Sequence, residues 1–184
     1  MLEKRLHGKG SHRGGSAARQ KGATVSELSI RYAKAADIPA VIKLAEDSVQ
    51  YSKSPFREVS DSEVRQYRRD DLEILNQIIE DPNFVILMVY DGQRFVAHAL
   101  IQLNHKDSAT GMLQAWIYDV SVVQDYWHRG VGRFLMQKAE ELARQQKLGA
   151  VGLGVTLSNE RAVNFYRRLG FIEERIQMVK LLDH

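Results

Sequence analysis

Apolar positions change period several times along the chain. Ile38, Val41, Ile42, Ala45 and Val49 recur every three to four residues, which predicts an amphipathic helix over 37–50. Ahead of it, "SIRYA" (29–33) reads as a short strand. A polar loop broken by Pro55 leads to Ser60, three residues before Glu63, a capping box. The helix it opens turns Val64, Tyr67, Leu72, Leu75 and Ile79 inward and stops at Asp81-Pro82. Two apolar runs, "FVILMVYDG" and "RFVAHALIQLN", then meet at Asp91-Gly92 as a hairpin. A third strand, "MLQAWIYDVSVV" (112–123), follows the loop around Gly111. Helical spacing returns over 131–147, strand alternation over 150–157, a helix over 160–169, and a last strand near 175–182. Between 150 and 157 the aliphatic face opposes the nearly bare Gly152 and Gly154, which predicts a close neighbour at that backbone. The order is mixed α/β (α+β): early helices, an antiparallel meander, then a strand-helix-strand unit that carries the glycines.

Composition narrows this picture. A chain of 184 residues suits one domain, and 44% apolar with 27% charged residues is ordinary soluble composition. No apolar run approaches a membrane span, so no membrane partner is expected. The absence of cysteine excludes disulfides and a thiolate nucleophile and is compatible with a cytoplasmic location. The net charge of +3 is unevenly spread: residues 1–28 hold six basic groups against Glu3 and Glu27, while the rest is nearly balanced. That glycine-rich leader has too few apolar side chains to offset its ordering entropy, which predicts disorder. It is the one feature that would favour nucleic acid, and the body argues against such a partner.

The chemistry begins at "YWHRGVGRFL" (126–135). Gly130 and Gly132 lie between a strand and a helix, where first-turn N–H groups lack intrahelical acceptors and the helix dipole favours an anion. Glycine admits phosphate oxygens to the backbone, and His128, Arg129 and Arg133 add positive charge. A dinucleotide fingerprint would need a glycine where Leu135 stands, and a phosphate-binding loop of the Gly-Lys-Ser/Thr type is absent. A second motif, "NERAVNFYRRLGF" (159–171), places Asn159, Ala162, Phe165, Tyr166, Gly170 and Phe171 at fixed intervals behind the glycine turn. Together the two motifs closely resemble the GNAT superfamily of acyl-CoA-dependent N-acetyltransferases. The first family motif is Arg or Gln, two residues, then Gly-x-Gly/Ala; the second is Asn-x-x-Ala followed by an aromatic-Tyr pair and Gly-Phe. The resemblance extends over 29–182 in layout and is specific across 119–171. It departs at Trp127, where the family carries Arg or Gln, a change that bears on coenzyme affinity.

The resemblance implies a single domain over 29–184, with a central, mostly antiparallel sheet, a splayed parallel pair and flanking helices. It implies acetyl-CoA as co-substrate and no metal. Pyrophosphate would lie on His128, Arg129, Gly130, Val131, Gly132 and Arg133, and pantetheine along Val120, Ser121 and Val122. A backbone N–H near Val122 would polarise the thioester carbonyl. Tyr166 is implied as the donor to the departing thiolate; a phenol and a thiol have unperturbed pKa values within about two units. Asp119 would take a proton from the amine or bind the ammonium, and its alternative reading is an ion-paired aspartate at a strand end. Asn159 would orient coenzyme amides and would equally serve as a helix N-cap. Tyr51, Phe56 and Tyr118 are the candidates for acceptor contacts, with an amine as substrate and a homodimer compatible with the layout. His98 and His105 read as surface or packing residues, and Arg161, Arg167 and Arg168 as a solvated helix face. A non-catalytic acyl-CoA-binding module is the alternative function.

Overall fold

A computed structural model of the chain describes residues 27–182. The leader of 1–28 lies outside the described residues except at its end, where Leu28 already belongs to the first strand. The elements are β1 (Leu28–Tyr32), α1 (Ile38–Val49), α2 (Asp61–Leu72), α3 (Leu75–Ile78), β2 (Phe84–Asp91), β3 (Arg94–Lys106), β4 (Leu113–Val122), α4 (Val131–Gln145), β5 (Val151–Leu153) and α5 (Glu160–Arg168). Five strands form one sheet in the order β1-β2-β3-β4-β5. All neighbours are antiparallel except β4 and β5.

One apolar cluster packs α4 on the sheet through Val131, Leu135, Met136, Ala139, Leu142 and Ala143. A second lies on the opposite face, where Ile38, Val41, Ile42 and Ala45 of α1 meet Ile86, Met88 and Leu100. This division follows from strand alternation, since successive side chains point to opposite faces. The capping box forms: Ser60 Oγ accepts from the Glu63 N–H, and the Glu63 carboxylate accepts from the Ser60 N–H.

Three expectations need correction. The helix predicted from Ser60 to Ile79 is two helices, because the Glu73 N–H bonds only three residues back, to Asp70, and tightens the chain there. Tyr67 does not face inward. It is 70% exposed, standing about 140° round the helix from buried Leu72. The strand expected near 175–182 does not form, since no strand among the described residues pairs with it, and Ile176 and Met178 stay exposed. Arg175 ties that segment to Asp107 (2.5 Å) and Ser108 (3.2 Å) in the β3–β4 loop instead. No helix among the described residues is long and apolar enough to cross a membrane.

Candidate functional site

The site grows from a defect in pairing. Ala115, Trp116 and Ile117 pair with Val151, Gly152 and Leu153, and the parallel ladder ends there. Tyr118 is the extra residue of a bulge, because Ile117 faces Ile101 while Asp119 faces Leu100. Beyond it β4 pairs with β3 alone. The Val123 N–H donates to the Val96 carbonyl of β3 at 2.9 Å. Backbone groups alternate sides along a strand, so Val120 and Val122 direct theirs to the open edge. The two strands thus part beyond Ile117 and Leu153, as the family resemblance implies. The eight-residue strand read over 150–157 shrinks to three because its second half has no partner.

The glycines flanking this split have separate tasks. A Cβ on Gly152 would lie 2.8 Å from the Trp116 ring, so its expected close neighbour is an indole from β4. A Cβ on Gly154 would meet nothing within 4 Å. In the turn to α4, Gly130 adopts φ +83°, which favours glycine, and the space a Cβ would enter there is also open. Gly132 is instead required by packing, since a Cβ would stand 3.1 Å from Phe165 Cζ. The N–H groups of Val131, Gly132 and Arg133 occupy the first turn of α4, before any intrahelical acceptor is available. His128, with φ 62°, and Arg133 are exposed beside them. Tyr126 anchors the turn: buried, it donates to Asp91 Oδ2 (3.0 Å) while Arg94 and Arg129 lie against its ring. The turn therefore suits an anion such as a pyrophosphate, held mainly by backbone donors.

On the α1–α2 side of the sheet, Asp119 Oδ2 bonds His98 Nε2 (2.8 Å) and the Ser121 hydroxyl (2.9 Å). His98 is fully buried, so it is neither a surface residue nor plain packing. Its Nδ1 has no partner among the described residues, which assigns the proton to Nε2 as donor to the carboxylate. Burial pushes the Asp119 carboxyl up, but the hydrogen bond from His98, with Arg68 and Ser121, holds it below its ordinary value. Oδ1 accepts no hydrogen bond among the described residues. Tyr166 lies within reach of that charge: burial first, then Asp119, push its phenol up to about 12, with Arg161 opposing. Its ring packs between Phe165 and Phe171.

Other candidates are more dispersed. Asn159 caps α5, its side-chain oxygen accepting from the Ala162 N–H at 3.2 Å. Ser121 faces Asp119, not the open edge. Tyr118 is half exposed and donates to Gln102 (2.6 Å). Phe56 is 69% exposed. Tyr51 lines a cavity of about 290 Å³ together with Leu44, Arg65, Val122, Gln124 and Trp127. Arg161 is exposed, as expected of a solvated face, and its guanidinium carbon also stands 3.7 Å over the Trp127 ring. Sequence reasoning passed over Tyr126 and gave His98 and Arg161 no part in the site. For His98 the strand alternation that puts it beside Met88 and Leu100 was the available signal.

Comparison with known proteins agrees with this geometry. The sequence profile of the acetyltransferase (GNAT) family matches residues 46–171. An uncharacterized N-acetyltransferase of Methanocaldococcus jannaschii is 39% identical over 62 residues, 34% of this chain and 27% of that protein, so only about a quarter of that relative is spanned. A Pyrococcus furiosus protein assigned as an acetyl transferase superposes with a TM-score of 0.69 at 24% identity, over 85% of this chain and 100% of the other. The PaiA N-acetyltransferase of Thermoplasma acidophilum, solved with coenzyme A, gives a TM-score of 0.71 at 17% identity, over 83% and 94%. Two glycine-bearing motifs, a split parallel pair and a profile match over most of the chain agree: the protein belongs to the GNAT acetyltransferase family.

Proposed function

We propose that the protein transfers an acetyl group from acetyl-CoA to a primary amine by direct attack, without an acyl-enzyme. The observation that carries this reading is the unpaired edge at Val120 and Val122, with the α4 turn following it in the chain and Asp119, whose charge acts on the Tyr166 phenol, next to it. Acetyl-CoA would supply the activated acetyl thioester. Val131, Gly132 and Arg133 would hold its pyrophosphate by backbone N–H groups, with His128 and Arg129 adding charge. Val120 and the Val122 N–H would pair with the extended arm, since the Val122 carbonyl already accepts from Trp127, and an N–H of this edge would polarise the thioester carbonyl.

The residues divide the proton work. An Asp119 carboxyl held below its ordinary value is a poor base for an ammonium of pKa near 10.4. Its better role is to bind the ammonium through Oδ1, leaving the proton to water. As the amine nitrogen bonds to the carbonyl carbon and the carbon–sulfur bond breaks, Tyr166 would donate to the sulfur. A phenol near 12 stays protonated at neutral pH but parts with its proton reluctantly, so a hydrogen bond to the thiolate describes its action better than complete transfer. Tyr51 and the cavity it lines would receive the acceptor.

Calorimetric titration with acetyl-CoA followed by thiol release across a panel of primary amines tests the reading. Binding with turnover of at least one amine is the expected result. Absence of binding contradicts it, and binding without any turnover would favour an acyl-CoA-binding module.

A further inference from the structure

Trp127 stands where the motif otherwise has Arg or Gln, and its side chain reaches three other parts of the molecule. Its indole Nε1–H donates to the Val122 carbonyl at the end of β4 (2.8 Å). The Tyr51 ring, from the segment after α1, meets it edge-on with centroids 4.9 Å apart. Arg161, from the first turn of α5, stacks 3.7 Å over it. Trp127 itself immediately precedes the anion-binding turn. The Tyr51 hydroxyl adds a bond to Gln124 (3.2 Å), and Thr156, beyond β5, donates to the Ser52 carbonyl (2.7 Å). Trp127 follows β4 and Arg161 follows β5, so their stack links the segments that leave the two strands. The same indole lines the cavity that holds Tyr51.

We propose that Trp127 is a positioning residue that makes coenzyme and acceptor affinities interdependent. This rests on the acetyl-transfer reading above. An anion settling on residues 128–133 fixes the backbone next to Trp127, and the ring passes that restraint to Tyr51 and Arg161. An acceptor that orders Tyr51 returns the same coupling to the donor site, because linkage between two binding sites is reciprocal. A Gln at 127 could keep a hydrogen bond to Val122 but would offer no ring to Tyr51 or Arg161.

The test is a double-mutant cycle read by calorimetric titration of the full chain with coenzyme A, each variant first checked by circular dichroism and melting. Tyr51→Ala is expected to weaken coenzyme A about fivefold, although Tyr51 lies outside the anion-binding turn. In a Trp127→Gln background the same change should shift the Kd less than about twofold. Equal effects in both backgrounds, or no effect of Tyr51→Ala in the wild type, overturn the coupling. A spectroscopic readout covers the case in which Trp127→Gln does not fold. Trp116→Phe leaves Trp127 as the single indole of the chain. Coenzyme A should shift its emission, and Tyr51→Ala or Arg161→Met should reduce that shift; an emission indifferent to coenzyme A or to both substitutions contradicts the proposal. Failure of the wild type to bind coenzyme A would remove the acetyl-transfer reading as well, whereas normal binding without Trp127-dependent coupling removes only this inference.

Discussion

At Trp116 and Ile117, β4 is paired with β3 on one side and β5 on the other, whereas over 119–122 it keeps only β3. In the first half a glycine is consumed by packing: Gly152 makes room for the Trp116 ring. In the second half the backbone is left open, Gly154 borders free space, and the side chains on the α1–α2 face form the Asp119–His98–Ser121 cluster. One strand therefore holds the sheet together and then presents a backbone edge to a ligand. The bulge at Tyr118 is the point of change. A chain can put chemistry on a strand in this way only if the paired half is stable without the open one.

Substitutions can break this contrast in graded ways. The largest effect is expected for Tyr166→Phe, which should lower kcat about 100-fold or more while leaving the coenzyme A Kd nearly unchanged. Steady-state thiol release alongside calorimetry would show it, and an unchanged kcat would remove Tyr166 as donor. Asp119→Asn should lower kcat/KM by about 10- to 100-fold, since it uncouples a buried charge from His98. That loss should be uniform from about pH 6 to 9, where carboxylate and alkylammonium both keep their charge. A loss that shrinks as pH rises would restore Asp119 as a general base. The linked stability has a definite sign. The Asp119 carboxyl is depressed in the folded state, so its contribution is complete above the unfolded value of about 3.9 and fades as pH falls through the lowered one.

The paired half should answer to stability more than to ligand. Gly152→Val places carbon against the Trp116 ring, 2.8 Å from where a Cβ would stand, at a cost of about 1–3 kcal/mol. At this chain length each kcal/mol lowers the Tm by about 2–4 °C, which scanning calorimetry resolves. The smallest effect is expected for Gly154→Ala. Its methyl enters open space, so the Tm should hold within about 2 °C, while the coenzyme A Kd rises a few-fold if the extended arm passes there. Equal destabilisation by the two substitutions would erase the distinction between the halves.

How much of this was legible in the sequence depends on the range of the interaction. The hairpin at Asp91-Gly92, the capping box at Ser60 and the glycine turn before α4 rest on local geometry, and local patterns announced them. The parallel pair and its split came from the motif resemblance. What escaped was set by partners distant in sequence. Alternation over 150–157 could not say that pairing ends at Leu153, and alternation near 175–182 could not supply a neighbouring strand. Gly152 and Gly154 look alike in the sequence, yet only one has an indole behind it. His98 reads as a hairpin residue until strand register sets it opposite Ser121, beside Asp119.

Amide hydrogen exchange with and without coenzyme A examines the contrast most directly. The account predicts that coenzyme A slows exchange at Val120, Val122 and the 130–133 turn and leaves residues 115–117 and 151–153 unchanged. Protection confined to the paired segment, or absent from Val120 and Val122, would contradict it.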